Sequence, residues 1–167
     1  HFKSKDELYE AVLAYSQAPL EQLIARSRKL ADEPLVALEH FIDDWFRLLL
    51  EDRWYRQSFE ILLNKTDLTA QMASTLKRER KLTRDMVQLL EALVERSQQT
   101  PGTGNCQSPR SLALLLYSSL MGITHTWLLS PKLFSLREQT PFMASNLLAL
   151  VTSHAPSSVT SQASEGA

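Results

Sequence analysis

Apolar residues recur at intervals of three and four along most of this chain, which is the period of an α-helix that is buried on one side. The clearest example follows Pro34, a residue that suits the first turn of a helix, with Asp32 as a candidate cap. No segment sustains the alternation of apolar and polar residues that is typical of a β-strand. The pattern therefore predicts an all-α protein, a helical bundle.

The beginning of the chain predicts a helix that is interrupted by proline. Ser4 and Glu7 have the spacing of a capping box, so a helix is expected to start there. We expect it to end near Ala18, because Pro19 disfavours helical backbone at the residue before it. Residues 19–33 then indicate a short helix and a connector.

Four more helices are expected along the rest of the chain. The first of them follows Asp52, and the second runs from about Thr66 to Ser97. The third runs from Pro109 to Leu129, and the fourth lies between roughly Leu136 and His154. The helix that starts at Pro109 is apolar on nearly all sides, which predicts burial on more than one face. Pro141 has to fall in the first turn of the last helix or mark its start. Residues 155–167 have little to bury and are expected to be disordered.

Composition and charge exclude several classes of protein. Apolar residues make up 44% of the 167 residues and the formal net charge is −1, so the chain is not a basic nucleic-acid binder as a whole. The one cysteine, Cys106, cannot form an internal disulfide, which fits a reducing, cytoplasmic setting. No uninterrupted apolar run is long enough to span a membrane, and no membrane partner is expected.

The polar residues offer no constellation that would carry catalysis. None of the four histidines has a metal-ligand partner at the usual helical spacing, and no nucleophile elbow or phosphate-binding glycine loop is present. His40 with Asp43 and Asp44 fits a solvated helix flank, and the basic run 77–81 fits a solvated face. We therefore expect no catalytic residue, metal or cofactor, and no enzymatic activity.

Large aromatic and sulfur-containing residues stand on four different predicted helices: Phe41, Trp45, Phe59, Met86 and Tyr117. Each of them would ordinarily belong to the hydrophobic core. Together they could instead line a cavity between helices, which is where ligand sites in helical bundles form. Periodicity alone does not decide between these two interpretations.

His1-Phe2-Lys3-Ser4-Lys5-Asp6-Glu7-Leu8-Tyr9, at the beginning of the chain, is similar to the end of the helix-turn-helix in the TetR family of transcriptional repressors. Two further stretches resemble the AcrR/TtgR branch of that family, which controls multidrug efflux pumps. Residues 59–68 resemble the branch's Glu-Ile-Leu-x-x-Lys-Cys-Glu-Phe segment, although Thr66, Asp67 and Leu68 replace its last three residues. Residues 122–131 resemble its Gly-hydrophobic…Trp-Leu-hydrophobic-x-Pro element.

The resemblance implies a ligand-responsive repressor, which binds operator DNA as a homodimer and releases it when a hydrophobic effector binds. Residues 1–5 would close a DNA-binding domain whose remainder precedes them, and residues 6–154 would form the effector-binding and dimerisation domain. His1, Lys3 and Lys5 would lie at DNA phosphates, which positions the protein without reading bases.

The resemblance also implies two sets of site residues. The effector-binding set is Phe41, Ile42, Trp45, Phe59, Leu63, Met86, Leu90, Tyr117, Leu120 and Thr124. The dimer-interface set is Leu115, Ser119, Gly122, Thr126, Leu148 and Val151. No ionisable residue occurs in the effector-binding set, so the expected effector is an apolar aromatic compound that binds through buried area, with one hydrogen bond from Tyr117.

A second interpretation from another functional class remains open at this stage. The chain could be a helical ligand-sensing or adaptor module that acts through protein contacts without binding DNA. A basic three-helix segment encoded upstream of His1 would favour the repressor.

Overall fold

The computed structural model describes residues 5–64, 73–101 and 105–153, and these residues form six helices. The helices are α1 (Lys5–Lys29), α2 (Pro34–Glu51), α3 (Arg53–Asn64), α4 (Ala73–Gln98), α5 (Pro109–Leu129) and α6 (Leu136–Thr152). No strand occurs among the described residues, so the prediction of an all-α fold is confirmed. His1, Lys3, the Ser4 cap, the cap at Thr66 or Asp67 and the tail 155–167 lie outside the described residues, as do the side chains of Lys5 and Leu63.

Helix α1 continues through Pro19, and the expectation that it ends near Ala18 is wrong. Pro19 lacks the N–H that would bond to the carbonyl of Tyr15, so the helix lacks one backbone hydrogen bond at this point. The buried residues Gln17, Leu20, Leu23, Ile24 and Ser27 nevertheless form one continuous helical stripe. Burial of that stripe against α2, α3 and α4 stabilises the helix by more than the proline costs.

Helix α2 lies at the centre of the bundle and contacts each of the other five helices. Pro34 starts it as predicted, but the residue at the cap position is Glu33 rather than Asp32, and its side chain makes no capping hydrogen bond. At the other end, the Arg56 guanidinium donates to the carbonyls of Leu49 and Leu50, both at 2.8 Å. This contact closes α2 and fixes the start of α3.

Helix α5 buries one face and exposes the other within the single chain. Leu112, Ala113, Leu116, Leu120 and Thr124 are buried, whereas Leu114, Leu115 and Leu129 are 43%, 49% and 69% exposed. The prediction of burial on more than one face is therefore not met inside this chain. Contrary to the sequence expectation, α5 is also long and apolar enough to cross a membrane by length and composition. Its buried face packs against α2, α3, α4 and α6, so part of its apolar character is used within the bundle.

Side-chain hydrogen bonds stabilise both ends of the last helix, α6. The Ser135 hydroxyl accepts from the Glu138 amide at 3.3 Å, and the buried Asn105 amide donates to the Leu150 and Val151 carbonyls at 3.3 and 3.4 Å. Pro141 is the sixth residue of the helix, so the prediction that it lies in the first turn is wrong. Since α6 packs on α2 and α5, tertiary contacts again outweigh the local effect of a proline.

Candidate ligand-binding site

Five helices meet around a cavity of about 340 Å³, within the size range of small-molecule sites. Helix α4 contributes half of the wall, and each of the other four helices contributes one or two side chains. The lining residues are Leu20 of α1, Trp45 of α2, Phe59 of α3, Glu79, Arg80, Leu82, Thr83 and Met86 of α4, and Tyr117 and Met121 of α5. The cavity therefore touches every helix except α6.

Trp45 is the centre of the aromatic wall. Its ring centroid lies 6.1 Å from Phe41, 6.4 Å from Phe59 and 6.2 Å from Tyr117, and the Tyr117 ring meets it edge to face at 83°. Phe59 in turn packs edge to face on Tyr55 at 4.9 Å. Tilted and T-shaped pairs at these distances are favourable geometries for aromatic rings.

A buried hydrogen bond holds the Trp45 indole in place. Its Nε1–H donates to the Thr124 hydroxyl at 3.0 Å, across 79 residues of sequence. The same hydroxyl donates to the Leu120 carbonyl at 2.8 Å, so both its donor and its acceptor capacity are used. This hydrogen bond from Trp45 to α5 thus fixes the orientation of the indole ring in the cavity wall.

One wall of the cavity is polar. Glu79, Thr83 and Met86 follow one another at the helical spacing of α4, and the Thr83 and Tyr117 hydroxyls lie 3.2 Å apart. Burial raises the pKa of the Glu79 carboxyl, an effect that Arg78 partly offsets. Burial also raises the pKa of the Tyr117 hydroxyl, against the lowering effect of the hydrogen bond with Thr83.

The structure brings four of the ten predicted effector-binding residues to this cavity: Trp45, Phe59, Met86 and Tyr117. Phe41, Leu90, Leu120 and Thr124 do not line it. They are buried in the core, where Phe41 and Thr124 contact Trp45 from outside the cavity. Ile42 faces a different groove, and the Leu63 side chain lies outside the described residues.

Sequence reasoning missed the charged residues of the cavity. We expected a site without ionisable groups, and this is wrong, because Glu79 and Arg80 both line it. The sequence favours a solvated face for the run 77–81, and four of its five residues are exposed, but Glu79 is half-buried. The available signal was positional, since Glu79 stands four and seven residues before Thr83 and Met86, on the same side of α4.

A second groove, of about 430 Å³, lies between α2 and α6. Ile42, Leu148 and the carboxylates of Glu39 and Asp43 line it. Burial and the neighbouring Glu39 raise the pKa of Asp43. Within the part of the chain that the structure describes, no three His, Cys, Asp or Glu residues are grouped as a metal site would require.

The residues predicted for a dimer interface divide into two sets. Leu115, Ser119, Gly122 and Thr126 share the face of α5 that is turned away from the core, and a Cβ added to Gly122 would meet nothing within 4 Å. Val151 is fully buried in its own chain and cannot contact a partner, so its assignment to an interface is wrong. Leu148 is partly buried against the core and lines the groove between α2 and α6.

Known structures share this fold. A crystal structure of NalD, the secondary repressor of the MexAB-OprM multidrug efflux pump in Pseudomonas aeruginosa, is similar with a TM-score of 0.70 and 24% identity, over 88% of this chain and 73% of that one. A second NalD structure gives 0.64 and 23% over the same shares. A SmeT–triclosan complex gives 0.67 and 23%, over 89% of this chain and 71% of that one. No curated protein is found to match the chain.

The sequence profile that describes the C-terminal region of MAATS-type transcriptional repressors, a TetR-type family, matches residues 33–153. The match begins just before α2 and ends just after α6, so it includes α2–α6 and most of the cavity. Its members are transcriptional repressors and not enzymes. The protein therefore belongs to the TetR family of transcriptional regulators and carries the C-terminal region of a MAATS-type repressor.

Proposed function

We propose that this protein is a ligand-responsive repressor of a multidrug efflux system, which releases operator DNA when a hydrophobic effector occupies the cavity around Trp45. The observation that carries the proposal is the cavity itself, with an apolar, aromatic wall built from five helices. Trp45, Phe59, Met86 and Tyr117 offer large and adaptable surfaces, which suits ligands of varied shape. Repression of efflux is proposed because NalD, which is similar in fold, is a repressor of a multidrug efflux pump.

Helix α1 offers a route from the cavity to DNA. Leu20 of α1 lies in the cavity wall, so a ligand that fills the cavity contacts this helix directly. By resemblance, residues 1–5 would close a DNA-binding domain and lead into α1, which begins at Lys5, with His1, Lys3 and Lys5 at DNA phosphates. A ligand that favours one position of α1 would then shift the population between states that bind and do not bind operator DNA. Such a regulator would act in the cytoplasm.

We also propose a homodimer that forms through the outer face of α5. Leu115, Ser119, Gly122, Thr126 and Leu129 recur at intervals of four and three, the spacing of helices that pack at a shallow angle. Gly122 at the middle of this face permits a close approach of backbones.

The binding step can be tested with the protein's own fluorescence and triclosan, the ligand of SmeT, as the probe. We expect triclosan to quench or shift the emission with micromolar affinity, which corresponds to about −8 kcal/mol. Trp45→Phe should remove most of this signal, because Trp45 alone among the three tryptophans lines the cavity. Trp127→Phe is the matched control and should retain the signal.

The opposite pattern would contradict the proposal. If triclosan and other aromatic drug-like compounds produce no change in emission, or if Trp127→Phe abolishes the response while Trp45→Phe keeps it, the cavity is not the effector site. Phe59→Ala and Met86→Ala distinguish the remaining case. A loss of several kcal/mol of stability without any change in ligand preference would mark both residues as plain core.

A further inference from the structure

A third groove, of about 170 Å³, lies between α1 and α4, and it shares one lining residue, Leu82, with the cavity around Trp45. Its lining residues stand at helical intervals on two facing stripes: Glu21, Ile24 and Arg28 of α1, and Arg78, Lys81, Leu82 and Asp85 of α4. Ile24 and Leu82 are buried and form an apolar floor, and the other five residues form a charged rim. The volume is smaller than the roughly 300–1,000 Å³ of sites for drug-sized molecules, so the groove fits a small group.

The rim holds one positive charge that its own carboxylates do not neutralise. The Arg78 guanidinium donates to the Glu21 carboxylate at 3.0 Å, and the Lys81 ammonium donates to the Asp85 carboxylate at 2.8 Å. Arg28 is exposed and forms no ion pair with any residue that the structure describes. The rim thus has three cations for two carboxylates.

The segments that form the groove are more positive than the rest of the chain. Residues 20–29 carry three Lys or Arg and one carboxylate, and residues 77–85 carry five Lys or Arg and two carboxylates. The whole chain has a net charge of −1. A local excess of cations attracts anions even where the net charge of the protein does not.

The end of a helix favours cations for a simpler reason, which explains only part of this pattern. The last turn of α1 contains Arg26, Arg28 and Lys29, and each of them suits the negative end of the helix dipole. The dipole does not determine where such a side chain lies, because Arg26 contacts Asp44 of α2 at 3.5 Å. It also does not explain why two cations of α4 line the same groove as Arg28.

The two ion pairs of the rim can be exchanged for a ligand at little cost. Both involve exposed side chains, and exposed pairs contribute little to stability. An anion with several charges can engage three cations at once, whereas each carboxylate of the rim engages one. Guanidinium groups also bind phosphate oxygens through two parallel hydrogen bonds, and a lysine adds a compact charge.

We propose that this groove binds a diphosphate group, which Arg28, Arg78 and Lys81 hold together, and that it is a ligand site separate from the cavity around Trp45. Diphosphate fits three cations better than monophosphate does, because it carries more negative charge. Free diphosphate and the diphosphate of a nucleotide share this chemistry. Because Arg28 belongs to α1 and the other two cations belong to α4, the bound group would join these two helices.

Calorimetry with inorganic diphosphate tests the proposal on the whole chain, at a constant ionic strength that is set with sodium chloride. We expect diphosphate to bind at least tenfold more tightly than inorganic phosphate. Arg28→Gln on α1 and Lys81→Gln on α4 should each weaken diphosphate binding at least tenfold, which is about 1.4 kcal/mol. Arg28→Lys keeps the charge and should bind more tightly than Arg28→Gln.

Arg84→Gln is the matched control, because it removes the same charge from an exposed position of α4 outside the groove. It should change the affinity for diphosphate less than threefold. If diphosphate does not bind, or if Arg84→Gln weakens it as much as Arg28→Gln does, the positive charge is a diffuse property of the surface and the proposal is wrong. An effect of Arg28→Gln or Lys81→Gln alone would exclude a site that the two helices share.

ADP and AMP separate the two sources of the diphosphate group. ADP that binds more tightly than inorganic diphosphate would identify a nucleotide as the ligand, and the reverse order would identify the free anion. AMP that binds as tightly as ADP would show that the groove does not recognise a diphosphate, and would overturn the proposal. Binding of a random-sequence DNA duplex that depends on Arg28, without binding of diphosphate, would assign this face to nucleic acid instead.

Discussion

At the scale of single residues, the Thr124 hydroxyl has the clearest effect on the site. It accepts from the Trp45 indole at 3.0 Å and donates to the Leu120 carbonyl at 2.8 Å. Thr124→Val keeps the shape of the side chain but leaves the buried indole N–H without its acceptor, which should cost about 1–3 kcal/mol of unfolding free energy. Chemical denaturation at a fixed protein concentration measures this change.

Two controls make the Thr124 prediction specific. Thr124→Ser keeps the hydroxyl and should cost much less than Thr124→Val. In a Trp45→Phe background no indole N–H remains, so the further change to Val should cost less than it does in the unaltered protein. If Thr124→Val costs the same unfolding free energy in the unaltered protein and in the Trp45→Phe background, the hydrogen bond contributes nothing to stability.

Glu79 predicts a pH-dependent stability of unusual sign. Its pKa is raised in the folded protein, so the folded state binds the proton more tightly than the unfolded chain does. Unfolding free energy should therefore fall as the pH rises from the ordinary carboxyl value of 4.5 through the raised pKa. Glu79→Gln should make the protein more stable than the parent at neutral pH, and this difference should disappear below pH 4.5. Thermal unfolding of both proteins across that range measures the effect.

The sequence predicted the apolar part of the site better than its polar part. Trp45, Phe59, Met86 and Tyr117 stand out because they are large and fall on the buried stripes of four helices. Glu79 stands in a run of charges that is otherwise exposed, and its burial depends on the packing of α4 against α1, α2 and α5. The spacing of Glu79 from Thr83 and Met86 places all three on one side of α4, but a helical period alone does not show that this side faces a cavity.

At the scale of elements, α1 shows where a local rule fails. The rule that helical backbone is disfavoured before a proline would end the helix near Ala18, and the buried residues Gln17, Leu20, Leu23 and Ile24 continue across it. Pro19→Ala would restore the missing backbone hydrogen bond. Inside a helix, proline is about 3 kcal/mol less favourable than alanine. We expect Pro19→Ala to stabilise the protein by up to that amount in chemical denaturation.

Pro141→Ala is the corresponding test in α6 and should also stabilise. If Pro19→Ala destabilises while Pro141→Ala stabilises, the half-buried ring of Pro19 contributes packing that outweighs its backbone cost. The two substitutions thus distinguish the general backbone cost of a proline in a helix from the packing of the Pro19 ring in α1.

Helix α5 is apolar on nearly all sides in the sequence, but a single chain buries only one of them, so the predicted burial on more than one face is not met within the chain. Leu115 and Leu129, on the outer side, are apolar residues of this helix that remain exposed to solvent. Gly122→Ile should abolish dimerisation, because its side chain would fill the space that a partner helix needs, while nothing in its own chain lies within 4 Å of a Cβ at that position. Size-exclusion chromatography with light scattering at micromolar concentration measures the change.

The control for bulk is Ala92→Ile, which adds a similar side chain to an exposed position of α4. This variant should remain dimeric and as helical as the parent. A parent chain that is already monomeric at micromolar concentration, or a Gly122→Ile variant that stays dimeric, would contradict an interface through this face of α5.

At the scale of the whole molecule, the helices could be predicted one by one but their arrangement could not. Helical periodicity identifies the buried face of α2, yet only the folded chain shows that α2 contacts all five other helices. The all-α class and the TetR family followed from local patterns and short motifs, whereas the position of the cavity depends on contacts between distant segments. Leu20 illustrates this, because its apolar character is plain in the sequence and its place in the cavity wall is not.

Leu20 of α1 lies in the cavity wall, and the Arg78–Glu21 ion pair joins α1 to α4, so the magnitudes of these two interactions predict which of them transmits ligand binding. The Arg78–Glu21 ion pair is 43% and 55% exposed, and such pairs contribute about 0–1 kcal/mol. Leu20 is 6% exposed and lies in the cavity wall, so a ligand changes its packing directly. We expect triclosan to slow amide hydrogen exchange in residues 20–29 about fivefold, a coupling of about 1 kcal/mol. Leu20→Ala should remove most of this protection, and Arg78→Ala should leave it nearly intact.

Leu82→Ala is the matched control, because it makes the same truncation in the same cavity at a similar burial, on α4 instead of α1. If loss of packing alone weakens the coupling, Leu82→Ala and Leu20→Ala should reduce protection of α1 equally, and a specific role for Leu20 would be excluded. If Leu20 transmits binding, Leu82→Ala should lower triclosan affinity and keep α1 protected once the ligand is saturating. Loss of protection in Arg78→Ala alone would assign the transmission to the ion pair, because that variant leaves the cavity wall of Leu20 and Leu82 unchanged.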